Sequence, residues 1–336
     1  MMRALVTGVA GFAGSYLAEL LLSRGVEVCG LVQPGGSLQN LDGIREAPGI
    51  EGGLRLIEAD IRHEEALHQI VRESRPDRVF HLAGAASVRR SLEVPGETFQ
   101  VNVLGSRNLL EAIRRAGIGP RILVVSSADA YGESARLPRP LQEEDPLRPV
   151  SPYGVSKAAA EAVASRYTQE YGLQVIRVRP FPHCGPRQAP QFALPDWARQ
   201  LAEIEAGRRP ARLLVGNLSA RRDLSDVRDV VRAYALAAEL DEADSVYNIC
   251  SGRAYNLRAV LEAMIGLAGI EVDILEESER LRPHDLEVLV GSPEALRVRT
   301  GWEAAIPLEK TLDDLLASWR GHPQGGPQLD SSAKGD

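Results

Sequence analysis

The 336-residue chain reads as an α/β protein, a doubly wound parallel sheet with a smaller mixed α/β C-terminal unit. Three observations predict this. Short apolar runs alternate with helix-period stretches through the first half. A glycine-spaced turn follows the first apolar run. After Arg179 the alternation gives way to a proline-rich stretch.

Strands are expected at Ala4–Thr7, Val26–Leu31, Leu54–Glu58, Arg78–Leu82, Ile122–Ser126 and Val175–Val178, with helices near 14–24, 64–74, 98–116 and 153–171 between them. Strands this uniformly apolar suit a parallel sheet covered on both faces, and crossovers of this length suit right-handed βαβ units. Pro180, Pro182, Pro186, Pro190 and Pro195 make the next stretch loop rather than sheet interior. Then come a helix near 194–206, a strand at Arg212–Val215, a helix near 227–239 and a strand at Val246–Cys250. The following helix, 257–268, takes Asn256 as its cap. Segments within about 212–250 are expected to return in part to the main sheet. The Gly-, Pro- and Ser-rich tail, 321–336, is expected to be disordered.

Composition removes several classes. Net charge is −7, with 44% apolar and 25% charged residues, as in soluble globular proteins. No apolar run approaches the roughly 18–20 residues of a membrane span. Met1-Met2-Arg3 leads straight into an apolar strand and lacks the long apolar region of a signal peptide. Cys29, Cys184 and Cys250 show neither metal spacing nor a disulfide framework, so no metal and a cytoplasmic location are expected. Arginines dispersed among acids argue against nucleic acid as a partner. One oddity remains. Only Lys157, Lys310 and Lys334 among the 39 basic residues are lysines, and Lys157 is alone in residues 1–309.

Thr7-Gly8-Val9-Ala10-Gly11-Phe12-Ala13-Gly14 places three glycines between the first strand and helix. Gly8 permits a tight turn, Gly11 admits a pyrophosphate to the backbone, and Gly14 lets the helix pack closely, its N-terminus facing the anion. This is a Rossmann dinucleotide turn, with one residue more between the first two glycines than the common fingerprint. An acid closing the second strand would bind the ribose 2′-hydroxyl; neutral Gln33 stands there instead. The expected cofactor is therefore NADP(H) or NAD(H), with NADP(H) preferred. Asp60, after the third strand, is placed either to accept from the adenine amine or to remain a solvated strand-end acid.

Tyr153 and Lys157 stand four apart, on one face of a helix. An ammonium beside a phenol favours the phenolate, bringing the Tyr pKa toward working pH for proton exchange with a carbonyl or alkoxide. A surface tyrosine and lysine share this spacing by chance, but a chain that uses arginine for generic charge gives its lone interior lysine a job that guanidinium cannot do. The preceding strand ends in Ser126-Ser127-Ala128-Asp129, facing the crevice at the carboxyl edge. Ser127 can hydrogen-bond a substrate carbonyl oxygen, and Asp129 can act as a base or bind a sugar hydroxyl.

Together with His81-Leu82-Ala83-Gly84 and Asn102, these residues resemble the extended short-chain dehydrogenase/reductases that act on nucleotide sugars, over nearly all of 3–320. The resemblance implies Tyr153 as general acid/base, Lys157 orienting the nicotinamide ribose, and Ser127 polarising the sugar carbonyl. It implies a dinucleotide lined also by Phe12, Ala13, Ile61, Leu82, Ala83, Gly84, Asn102 and Pro180. Arg179-Pro180-Phe181-Pro182-His183-Cys184-Gly185-Pro186, Arg222-Asp223, and Leu281-Arg282-Pro283 are similar to stretches of the GDP-4-keto-6-deoxymannose reductases. From that follow substrate contacts by Ser87, His183, Arg222 and Arg282, the two arginines on a diphosphate, and reduction at sugar C4 to GDP-6-deoxy-D-mannose. Pro182 departs from the family Asn and brings no side-chain amide. The sister GDP-mannose 4,6-dehydratases use a Glu where this chain has Asp129, one methylene shorter, so dehydration is the alternative and 4-epimerisation the third. A protein of this fold that only binds nucleotide needs no tuned phenol. The resemblance further implies a homodimer through the helices at 98–116 and 153–171, a dinucleotide domain over 1–179 and a nucleotide-sugar domain over 180–320.

Overall fold

The computed structural model describes residues 1–45, 53–281 and 285–321. Its central strands are β1 (Arg3–Thr7), β2 (Glu27–Val32), β3 (Leu54–Glu58), β4 (Arg78–His81), β5 (Arg121–Val125), β6 (Gln174–Pro180) and β7 (Val246–Ile249). They form one sheet in the order β7-β6-β5-β4-β1-β2-β3, every pairing parallel. Successive side chains alternate between faces. Val6, Phe80, Leu123 and Val178 face α1 (Phe12–Ser23) and α6 (Val227–Ala237). Leu5, Val79, Ile122 and Val124 face α2 (Glu64–Ser74), α3 (Gly105–Ala116) and α4 (Pro152–Tyr171). Strand order reverses between β1 and β4, where Thr7 lies opposite His81, so a crevice opens past their carboxyl ends.

A second core gathers α5 (Ala193–Glu205), α7 (Leu257–Ala268) and α8 (Leu308–Arg320) around Trp197, Leu213, Leu261 and Leu312. Asn256 caps α7 by accepting from the Ala259 amide, at 3.2 Å.

The structure narrows one expectation and corrects two. Of the 212–250 segment, α6 and β7 do return to the main sheet, but Arg212–Val215 pairs in parallel with Asp273–Glu276. Its inward residues, Leu213 and Val215, are buried in the second core and hold it there. The expected 98–116 helix is broken: a helical turn at Pro95–Phe99 widens into a π turn over Gln100–Leu104 before α3 begins. Gly105 then lets the backbone press on Ile61, whose Cδ1 would lie 2.5 Å from an added Cβ. Finally, the proline stretch is not all loop. β6 runs through Pro180, and His183–Cys184 pairs with Ser225–Asp226. The tail beyond Gly321 lies outside the described residues.

Three buried carboxylates at a spacing of three join the two cores. Asp223 accepts from the Ser251 amide (2.8 Å), Ser251 Oγ (2.6 Å) and the Gly252 amide (2.9 Å). Asp226 caps α6 through the Arg228 amide and accepts from Thr311 Oγ1 on α8. Asp229 accepts from the Ala305 and Ile306 amides, both at 2.8 Å. Removing such an acceptor strands two backbone donors. Asp229→Ala should therefore cost about 2–4 kcal/mol in urea denaturation, and a loss below about 1 kcal/mol would show that those amides find other partners.

Candidate active site

The crevice is built first by glycines. Gly8 has φ +72°, and a Cβ there would sit 2.9 Å from Ala83 Cα, so β1 and the end of β4 meet backbone to backbone. At Gly14 a Cβ would come within 2.1 Å of the Gly8 carbonyl oxygen, which closes α1 onto the turn. Gly11 is different: it is exposed, has ordinary extended backbone, and a Cβ would meet only Gly8 O at 3.1 Å. The protein itself leaves that approach open, as a pyrophosphate at the α1 N-terminus requires.

Beneath the turn, Thr7 Oγ1 accepts from the Ala83 amide and donates to His81 Nδ1 at 2.8 Å. Ser106 Oγ donates to Asn102 O and therefore accepts from His81 Nε2 at 2.9 Å, which assigns the tautomer. Burial, reinforced by the Lys157 charge, pushes His81 down to about 3, so this histidine is a neutral strut. Asn102, within the π turn, accepts from the Ala85 amide and donates to Ala85 O and to Ser156 Oγ. It ties the loop after β4 to α4.

The helix α4 starts with Ser151 accepting from the Gly154 amide at 3.1 Å and Pro152 in its first turn. A Cβ on Gly154 would lie 2.6 Å from Asp129 O, so the first turn rests directly on the segment after β5. That contact brings Tyr153, Ser127 and Asp129 together. The Tyr153 phenol hydrogen-bonds Ser127, whose Oγ donates to Asp129 Oδ2 at 3.2 Å. Lys157 Nζ donates to Val125 O at 2.8 Å. At Gly84, a Cβ would lie 3.0 Å from Asn102 Oδ1 and 3.5 Å from Lys157 Nζ, so glycine keeps the space before the ammonium clear.

The electrostatics depart from the sequence expectation. Burial, and then the Asp129 carboxylate, hold the Tyr153 phenol above its usual range against an opposing Ser127 hydrogen bond. Lys157 is not among the groups that bring it down, and desolvation of the phenol dominates. Lys157 is itself lowered to about 8 by burial, opposed by Glu161. At neutral pH the pair is a protonated phenol and a charged ammonium, poised to donate a proton.

Other candidates are placed more loosely. Phe12 stacks on His183 (centroids 5.7 Å, planes 11° apart), joining the glycine turn to the proline-rich loop, and His183 Nδ1 donates to Phe181 O. Ala13 is half-buried beside Phe12, Ile61 is buried beneath Gly105, and Leu82 and Ala83 flank the switch point. Pro180 pairs with Ile249 at the end of β6, while Pro182 O accepts from the Ser225 amide. Gln33 is exposed at the end of β2. Both oxygens of Asp60 accept from Arg62, which holds its carboxyl below the usual range. Ser87 caps the helix at Val88–Glu93. Arg222 donates to Asp285 Oδ1 at 2.6 Å and to Leu286 O, rather than standing clear for a diphosphate, and Arg282 lies outside the described residues. Sequence reasoning missed Ser126, Tyr131, Glu161 and the role of Arg179, which form a buried network behind Ser127. The available signal was a glutamate one turn past Lys157 in an alanine-rich helix.

Residues 5–315 match the GDP-mannose 4,6 dehydratase family. The chain belongs to this family. It is 37% identical to the GDP-6-deoxy-D-mannose reductase of Pseudomonas aeruginosa, covering 73% of this chain and 80% of that protein. Among solved structures it resembles the Pseudomonas aeruginosa protein RMD complexed with NADPH (TM-score 0.79, 32% identity, 96% of this chain and 100% of that one). It also resembles the Thermus thermophilus UDP-glucose 4-epimerase complex with NAD (TM-score 0.82, 35% identity, 95% and 99%). A family that includes dehydratases and a reductase thus shares its sheet and crevice with an epimerase.

Gly11 is the least crowded of the three glycines, an added Cβ meeting only Gly8 O at 3.1 Å, so it best isolates the dinucleotide contact. Gly11→Ala should leave folding stability within about 1 kcal/mol while weakening NADPH binding by about tenfold or more in a fluorescence titration. Unchanged affinity would contradict a pyrophosphate at this turn.

Proposed function

We propose that this chain reduces the C4 keto group of a GDP-4-keto-6-deoxyhexose to GDP-6-deoxy-D-mannose. It is an NAD(P)-dependent oxidoreductase on a nucleotide sugar. The observation that carries this reading is the Tyr153 phenol brought together with Ser127 and Asp129 at the carboxyl edge of β5, one helical turn from Lys157. The 37% identity to the Pseudomonas aeruginosa reductase supports the substrate. NADP(H) is the cofactor we favour, supported by the neutral Gln33 and the NADPH complex of the similar structure. When bound, the reduced nicotinamide supplies the hydride.

The protein does the rest. Ser127 donates a hydrogen bond to the carbonyl oxygen, steadying charge as it develops there. Tyr153 transfers its proton to that oxygen, while the Lys157 ammonium is left to hold the nicotinamide ribose. The gap bounded by Gly84, Asn102 and Lys157 receives the nicotinamide ribose. Asp129 binds a sugar hydroxyl. It stands where the dehydratases place their longer Glu, and a displacement of about 1 Å at a reacting centre can cost on the order of a hundredfold, which disfavours proton removal from C5. Residues 1–179, with β7 returning, form the dinucleotide domain, and 180–320 form the sugar-nucleotide domain; Ser87 from the first and His183 from the second contact the substrate. Arg222 meets the diphosphate by exchanging its Asp285 contact for phosphate oxygens.

The working form is a cytoplasmic homodimer. In support, Leu104, Val155 and Tyr171, just before α3 and along α4, are exposed apolar side chains. No helix among the described residues is long and apolar enough to cross a membrane.

With GDP-4-keto-6-deoxymannose, NADPH should be consumed in a one-to-one ratio with sugar, and Tyr153→Phe should lower kcat by about a hundredfold or more while retaining NADPH binding. Consumption of GDP-mannose without net change in NADPH would establish the dehydratase instead.

A further inference from the structure

Glu161 and Arg179 form an ion pair whose side chains are only 3% and 6% exposed. Arg179 Nη2 donates to Glu161 Oε2 at 2.7 Å, and Nε reaches both carboxylate oxygens at 3.0 and 3.1 Å. The remaining valences are filled as well. Ser126 Oγ donates to Glu161 Oε1 at 2.5 Å, while Arg179 Nη1 donates to the Tyr131 hydroxyl and to Glu143 O, both at 2.9 Å. Tyr131 passes its own proton to Asn248 Oδ1 at 2.8 Å, and the Arg179 guanidinium lies 4.8 Å from the Tyr131 ring centroid.

Burying two charges is expensive, and apolar residues of like volume commonly serve stability as well or better. A pair this completely bonded needs a reason beyond stability, and its neighbours supply one. Glu161 lies one turn beyond Lys157 and two beyond Tyr153, on the same side of α4. Its bond to Ser126 falls between Val125, whose carbonyl holds Lys157, and Ser127, which meets Tyr153. Arg179 reaches Tyr131, two residues past Asp129. Ser127, Asp129 and Lys157 are thus within two residues of this network or one helical turn from it, and Tyr153 is two turns from it on the same helix.

We infer that Glu161 is a positioning residue of the reduction: held by Arg179, its carboxylate fixes α4 against the end of β5 and is the counter-charge that keeps Lys157 cationic inside the protein. This rests on the reading of Tyr153, Ser127 and Lys157 given above. Among the described residues, titratable groups on the elements packed around Lys157 include Tyr153 on α4, Asp129 after β5, Arg179 on β6, and His81 on β4, which is neutral.

The three lysines make a direct test possible, since protein labelled with carbon-13 at lysine Cε gives three resonances and Lys157→Arg identifies the buried one. The wild-type midpoint is expected at about 8. Glu161→Gln keeps the shape of the side chain but not its charge, and should lower that midpoint by about one pH unit or more. The fall of kcat/KM with rising pH should move down by the same amount, because activity is lost as Lys157 loses its proton. Glu161→Asp keeps the charge but withdraws it from Ser126. It should leave the Lys157 midpoint in place, lower kcat by about fivefold or more, and change KM by less than about twofold. A merely structural glutamate would lower the melting temperature in both variants while leaving the Lys157 titration and, well below melting, kcat unchanged; that result overturns the inference. Should the native chain turn over no keto sugar, the proposed reaction fails, while the lysine titration still decides whether Glu161 sets the charge on Lys157. If Glu161→Gln does not fold, the kcat and KM of Glu161→Asp decide the positioning role.

Discussion

The constraint on which the site depends is the burial of charge beneath a parallel sheet edge. A guanidinium from β6 and a carboxylate from α4 meet almost wholly buried, and removing either would leave the other without its counter-charge. Their geometry leaves little freedom. The carboxylate must face β6 and also take the Ser126 proton, which fixes the rotation of α4, and that rotation aims Tyr153 and Lys157. The glycine at 154 then lets the first turn of α4 touch Asp129 O, so the acid and the serine that assists it are brought into contact. The catalytic arrangement is a consequence of how a helix is seated.

The same burial explains the chemistry. Desolvation raises a phenol and lowers an ammonium, and it acts on Tyr153 and Lys157 together. The outcome is an acid that keeps its proton at neutral pH beside a cation that remains charged there. That combination can deliver a proton to an oxygen receiving a hydride. The spacing of Tyr153 and Lys157 suggested a phenolate prepared in advance; the solvent-excluded site favours a phenol that becomes a phenolate only as it reacts.

Much of this was legible in the sequence where local geometry decides it. The glycine turn, the Tyr153–Lys157 face, the Asn256 cap and the strand alternation all follow from spacing, and the described structure places each as read. What was not legible depends on distant partners. Arg212–Val215 has the pattern of a returning strand, yet its partner, Asp273–Glu276, is chosen by the second core. The widened turn at Gln100–Leu104 looks like ordinary helix in the sequence. Arg222 is claimed by Asp285, 63 residues away, a pairing that a chain so rich in arginine leaves open. Glu161 read as one more helix acid, because its meaning lies in β6, eighteen residues on.

The central claim, that this buried site delivers a proton to a sugar oxygen as a hydride arrives at the adjacent carbon, is tested most directly by following the hydride. NADPH fully deuterated at nicotinamide C4 would be incubated with GDP-4-keto-6-deoxymannose and the sugar examined by proton NMR. The account predicts one deuterium at sugar C4 and none at C5 or C6, with NADPH consumed in step. A product without deuterium at C4, or deuterium appearing at C6, would contradict it.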